Sequence, residues 1–346
     1  MDEPIGVLLL GLGGPDSLDA VRPFLMNLFS DRDIVRLPGG RLGQWLIARM
    51  IVRPRLAAVR RNYVSIGGRS PLLDLTLRQA AALERALSAR AGRSVMVAPA
   101  MRYWHPFTGE ALADMAAAGV RRIVALTLYP HYSLATTGSS VRELLRVIAR
   151  EFPGRFELTI IDRWPTLSGY LDALAARIEQ TLGAVPEDRR ADVVLLFSAH
   201  GLPVDFIRRG DPYADEIDAT IRGLMERVNA PTAGRAPLPW RLAYQSRVGP
   251  AKWLGPSTAD TLRDLAAAGH RDVIVVPVSF ITDHVETLHE IDQELAQLAR
   301  ALGFVTFRRT EALNDEPAFI DALASLVCEH LGSAEAASGT SCHPSG

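Results

Sequence analysis

The chain has 346 residues, 48% hydrophobic and 22% charged, with a formal net charge of −1 and two cysteines. That is enough for two domains with sizeable cores, and the near-neutral charge argues against a nucleic-acid partner. Cys328 and Cys342 can supply neither a disulfide framework nor the four ligands of an iron–sulfur cluster, so a reducing cytoplasm is expected.

The N-terminus "MDEPIGVLLLGLGGP" is acidic and only briefly apolar, unlike a signal or transit peptide. No stretch is long enough to span a bilayer. Strands are expected, in chain order, at "IGVLLLGL", "VMVAPAM", "RIVALTLY", "FELTIID", "VVLLFS", "RLAYQS", "VIVVPVSF" and "FVTFRR". Amphipathic stretches such as "LRQAAALERALSARAG" separate them. The runs are continuously apolar, as in parallel strands covered on both faces, and the alternating order predicts an open α/β sheet.

The chain also repeats itself. "DMAAAGVRRIVALTLYPHYS" (114–133) aligns without gaps on "DLAAAGHRDVIVVPVSFITD" (264–283), each with a glycine, Gly119 or Gly269, placed to end a helix. Two similar Rossmann-like lobes with parallel sheets follow, expected at 1–170 and 171–330, with a cleft between them. Residues 24–55 read as a lid-like segment and 331–346 as a flexible tail. Cys342 and His343 fall in that tail and read as chance residues rather than metal ligands.

In open α/β sheets ligands sit outside the carboxyl ends of the strands. "VVLLFSAHGLP" delivers His200 to that rim, between Ala199 and Gly201, where a flat ligand could come close. "GLGGPD" (11–16) is not a dinucleotide fingerprint, because Asp16 occupies the third glycine position and Pro15 removes a donor. It reads as a glycine turn open to a flat ligand. In "SFITDHVETLHEIDQELAQL" (279–298), Asp283, Glu286, Glu290 and Glu294 fall at helical steps of three, four and four. Like charges in one file repel, so the file suits passage of protons or a divalent cation, the alternative being a solvated acidic face. His284 and His289 are five apart, which is not a protease zinc pattern. The basic amphipathic stretch 41–55 suits a membrane surface, a cover over an apolar anionic ligand, or an ordinary surface helix. The loops 63–72 and 129–140 would line a cleft or cap helices.

Taken together, "LGLGGPDSLDAVRPFLMNLFSDRDIVRLP", "YVSIGGRSPL", "MRYWHP", "YPHYSLATTGSS", "FSAHGLP", "RGDPY", "YQSRVGPAKWLGPST" and "SFITDHVETLHEID" resemble the ferrochelatase family over about residues 5 to 330. The resemblance implies the two-lobed chelatase fold and a lyase that inserts Fe²⁺ into protoporphyrin IX at the end of haem synthesis. It implies that His200 and Glu286 are the catalytic and iron-site residues. It places Asp283, His284, Glu290 and Glu294 on a proton or metal path. Leu12, Tyr63, Arg102, Tyr103, Ser133, Thr137 and Phe280 match porphyrin-lining positions, and Arg53 or Arg55 would meet a propionate. Leu12 stands where many relatives carry methionine, so no thioether is available there. The C-terminal cysteine cluster of some members is missing, so no [2Fe–2S] centre and no permanently bound cofactor are expected. The expected partners are protoporphyrin IX and ferrous iron, in the cytoplasm, with peripheral contact to the inner membrane compatible with so insoluble a substrate. Two other readings stand beside this one: a chelatase for coproporphyrin III or sirohydrochlorin, and a non-catalytic bilobal haem-binding protein.

Overall fold

All eight expected strands form, and they divide equally between two parallel sheets. The computed structural model describes residues 3–34, 40–230, 234–247, 249 and 251–338. The first sheet contains β1 (Ile5–Gly11), β2 (Val95–Met101), β3 (Arg122–Thr127) and β4 (Glu157–Ile161), in the order β2-β1-β3-β4. The second contains β5 (Val194–His200), β6 (Trp240–Gln245), β7 (Asp272–Pro277) and β8 (Thr306–Arg309), in the order β6-β5-β7-β8. The two orders are the same, so the sequence repeat is a repeat of topology. Val7, Leu8, Leu9 and Leu196, Phe197 are fully buried, as central strands with both faces covered require. Gly119 and Gly269 end their helices with φ of 81° and 92°, a left-handed conformation open to glycine.

The helices in chain order are α1 (Val21–Ser30), α2 (Gly40–Ser65), α3 (Leu72–Ala91), α4 (Thr108–Ala117), α5 (Thr137–Glu151), α6 (Ser168–Gly183), α7 (Val204–Arg208), α8 (Tyr213–Val228), α9 (Thr258–Ala267), α10 (Ala296–Ala301) and α11 (Pro317–Ser338). A ten-residue π-helical segment, Glu286–Leu295, leads into α10. The expected change of lobe at 170/171 falls inside α6. One continuous apolar core crosses from Leu9 and Leu126 through Tyr170 and Phe319 to Phe197 and Val276. Burial of this kind contributes about 25 cal/mol per Å² of apolar surface, so the lobes are joined through a core and not by a linker alone. Arg78 on α3 pairs with Asp315, and Gln79 donates to the Asn314 carbonyl at 2.7 Å, adding polar ties between the halves.

Most of the lid-like segment 24–55 is α1 and the first half of α2. The segment expected to fray from 331 continues α11 as far as Ser338. Residues 339–346, with Cys342 and His343, lie outside the described residues. No helix is long and apolar enough to cross a membrane, among the described residues.

Candidate active site

Strand β5 is central in its sheet, with crossovers to β6 on one side and β7 on the other. Its carboxyl end is therefore the point where strand order reverses, the place where such sheets bind ligands. His200 is the last residue of β5. Its N–H donates to Ser279 Oγ at 2.9 Å, and Nδ1 lies 2.6 Å from the Gly201 carbonyl. A proton on Nδ1 serves that carbonyl and leaves Nε2 facing outward.

Nε2 stands 3.5 Å from Glu286 Oε1, and Glu286 Oε2 stands 3.5 Å from His284 Nε2. Phe280 lies between the two imidazoles, edge-on to His200 with ring centroids 6.2 Å apart and 4.5 Å from His284. Burial pushes the His200 imidazole down, but the Glu286 carboxylate outweighs it and raises His200 to about 9. Burial pushes Glu286 up, and the His200 charge and hydrogen bond, with His284, hold it well below the usual carboxylate range. The two residues form an ion pair at neutral pH.

Of the acidic file, Glu290 is nearest in environment to the pair. Its carboxylate accepts from the Ser246 N–H at 2.9 Å and the Ser246 hydroxyl at 2.5 Å. Gln245 Nε2 is 3.3 Å from both Glu290 Oε2 and the Glu286 carbonyl. Burial and then the Glu286 charge push the Glu290 carboxyl up. Glu294 is exposed and meets His289 Nε2 at 3.3 Å. Asp283 departs from the file: it pairs with Arg309 at 2.9 Å and accepts from Asn314 and Thr287. The Glu286 carboxylate faces the histidines.

The expected porphyrin-lining residues divide into two groups. Leu12, Tyr63 and Val285, the neighbour of Glu286, share one apolar cluster with Val21, Phe24 and Tyr103. Burial and then the Glu286 charge push the Tyr63 phenol up. Arg53 is exposed on α2, and Arg55 lies 5.9 Å from the Phe29 ring. Phe280 is half-buried beside His200, and Arg102, Tyr103, Ser133 and Thr137 are tied into the protein. The Tyr103 hydroxyl and the Arg102 guanidinium donate to Asp31, Ser133 donates to Asp211, and Thr137 lies 3.5 Å from Thr127. In this structure Tyr103, Ser133 and Thr137 offer a ligand no surface, because each is at most 1% exposed.

The glycines also have a different use from the one expected. A Cβ on Gly201 would lie 2.8 Å from the Gln245 carbonyl and 3.2 Å from the Trp253 ring. One on Gly14 would lie 2.5 Å from Ser70 Oγ. The protein's own chain occupies the space that the sequence reading reserved for a flat ligand. Sequence reasoning missed Gln245, Ser246 and Ser279; their signal was a polar residue at or just beyond a strand's carboxyl end, on the rim shared with His200. Among the described residues no cluster of three or more His, Cys, Asp and Glu is arranged to hold a metal ion.

Two parallel sheets of identical order, with a histidine–carboxylate pair at the rim of one, define a chelatase-type α/β protein. The fold matches SirB from Bacillus subtilis with Fe³⁺ at a TM-score of 0.54 and 13% identity, covering 96% of this chain and 98% of that one. It also matches the sirohydrochlorin chelatase SirB from Bacillus subtilis subspecies spizizenii in complex with cobalt, at 0.52 and 11%, covering 96% and 97%. The sequence is more specific. The ferrochelatase family profile matches residues 4–331. The chain is 51% identical over 327 residues to the ferrochelatase of Geobacter metallireducens, covering 94% of this chain and 98% of the relative. It is 47% identical over 333 residues to that of Geotalea uraniireducens, covering 96% and 100%. For that of Synechococcus elongatus the figures are 46% over 333 residues, 94% and 82%. The chain belongs to the ferrochelatase family. It is a ferrochelatase, a lyase of haem synthesis whose substrates are a porphyrin and iron.

Proposed function

We propose that His200 and Glu286 carry the insertion step, as a unit at which two pyrrole protons leave and one Fe²⁺ enters. The observation that carries the assignment is the 3.5 Å approach of Nε2 to Oε1 at the strand-order switch point. Metal insertion replaces two N–H protons by one dication, so the charges balance and both protons must be taken away. Nε2 is the ring nitrogen of His200 that the main chain does not engage; it carries a proton in the resting ion pair, so it accepts a pyrrole proton only after passing its own to the Glu286 carboxylate. Glu286 supplies hard oxygen, and with imidazole it suits ferrous iron without a closed cage of ligands. Glu290, with its raised carboxyl, is the next proton station, and Glu294 opens to solvent. His284 steadies the far oxygen of Glu286. Asp283 anchors the segment through Arg309 and moves no proton.

Leu12, Tyr63 and Phe280 form the apolar side of the porphyrin site, with Arg53 or Arg55 toward the propionates. No [2Fe–2S] centre held by four cysteines is part of this reading, since the sequence has two cysteines. On α2, the exposed Leu42, Trp45, Leu46 and Met50 lie at helical spacing, with the Arg49 guanidinium 5.7 Å from the Trp45 ring. That face suits peripheral contact with an anionic membrane. Co-flotation with anionic vesicles, lost on Trp45→Asp, tests it.

The direct test of the assignment is anaerobic incubation with Fe²⁺ and protoporphyrin IX, followed by absorbance, with coproporphyrin III as competitor. His200→Ala should abolish turnover with an unchanged circular dichroism spectrum. Near-normal turnover by that variant would overturn the assignment.

A further inference from the structure

The backbone of His200 is held on both sides. Its N–H is on Ser279, and its carbonyl accepts from the Tyr213 hydroxyl at 3.1 Å. Tyr213 is buried at the start of α8. Its own N–H donates to Asp211 Oδ1 at 3.1 Å, the usual reach of an aspartate to the residue two positions on. The other oxygen of Asp211 faces the first lobe. Oδ2 accepts from Ser133 Oγ at 2.9 Å and from the Leu134 N–H at 2.7 Å. One buried carboxylate thus gives one oxygen to each lobe. The same loop is tied twice more to α8: the Tyr132 N–H donates to Glu216 at 2.7 Å, and His131 Nε2 meets Thr220 Oγ1 at 2.8 Å. The His131 ring stands edge-on to Tyr213, with centroids 6.1 Å apart.

We infer that Tyr213 is a positioning residue for His200, and that Asp211 makes this positioning depend on the 131–134 loop of the other lobe. The inference rests on the assignment of His200 to the insertion step. It gives the "RGDPY" stretch a role: Asp211 joins the lobes, and Tyr213 passes the alignment to the strand end. Tyr213 is covered by protein, so it acts through His200 and not on the porphyrin. A catalytic group displaced by about 1 Å can lose on the order of a hundredfold in rate, so a single missing anchor is expected to show in kcat.

Tyr213→Phe is nearly isosteric and removes only the hydroxyl. In the full chain, kcat should fall about tenfold, with KM for both substrates within about twofold of the parent. Tyr170→Phe is the control for mere burial, because that hydroxyl also donates to a carbonyl, Val278, at 3.1 Å from a fully buried ring. It should keep the parental kcat. Asp211→Asn should lower kcat at least as far as Tyr213→Phe, since an amide cannot accept from both lobes through two oxygens. Parental kcat in Tyr213→Phe, or an equal loss in Tyr170→Phe, overturns the inference. Retained turnover in His200→Ala removes instead the assignment beneath it, which keeps the two failures distinct.

Discussion

His200 Nε2 and Glu286 Oε1 meet at 3.5 Å although 86 residues of chain separate them. One closes β5, and the other opens the π-helical segment that follows β7. Each is charged because the other is there, since burial alone would push both toward neutrality.

The ion pair can be read directly by titration. In the ligand-free protein, nitrogen-detected NMR of His200 should show a midpoint near 9, and Glu286→Gln should bring it down to or below the ordinary value. The sign follows from the raised value. The His200 contribution to stability is full below the unfolded histidine value of about 6.5 and is lost as pH rises through about 9, while the Glu286 contribution, with its lowered carboxyl, is lost as pH falls below the ordinary carboxylate range. The side chains of His200 and Glu286 are 40% and 27% exposed, so solvent screening keeps these contributions small. A midpoint unchanged by Glu286→Gln would show that the carboxylate does not hold the proton.

His131 should produce the opposite trend in acid. Burial lowers its imidazole to about 3, and its ring stays neutral in the folded protein. Its contribution is present above about pH 6.5 and is lost as pH falls through about 3, up to about 5 kcal/mol in total. Urea unfolding from pH 7 to pH 4 should therefore show a shallower loss in His131→Gln than in the parent. Parallel slopes would place the acid sensitivity elsewhere.

Ser246 is one of two non-glycine residues with positive φ, at 62°, among the described residues. Its two donors on Glu290 hold that conformation. Ser246→Ala keeps the backbone strain and loses the hydroxyl bond, whereas Ser246→Gly loses the bond and relieves the strain. The glycine variant should be the more stable by about 1 kcal/mol in chemical denaturation. An alanine variant as stable as the glycine one would remove strain from the account.

Gly201→Ala should be costly although the residue adjoins an open site. Its new methyl would press on the Gln245 carbonyl and the Trp253 ring. A loss of about 1 to 3 kcal/mol is expected by thermal melting, with turnover reduced because Gln245 also touches Glu290. A neutral substitution would restore the reading of Gly201 as room for a ligand.

The sequence by itself determined the strands, the repeat and the family, and the family resemblance is what named His200 and Glu286 together. Those signals are local: continuous apolar runs, a gap-free internal match, and a histidine delivered by a strand end. It also listed Asp283, Glu286, Glu290 and Glu294 together, because their spacing is written along one segment. Only the tertiary structure decided what each does. Asp283 turned to Arg309, Glu290 to Ser246, and Tyr103, Ser133 and Thr137 into the protein, because a side chain's partner depends on elements far away in the chain. The same holds for Gly201 and Gly14. Spacing shows that a glycine leaves room, but only packing shows whether a ligand or the protein's own chain occupies it.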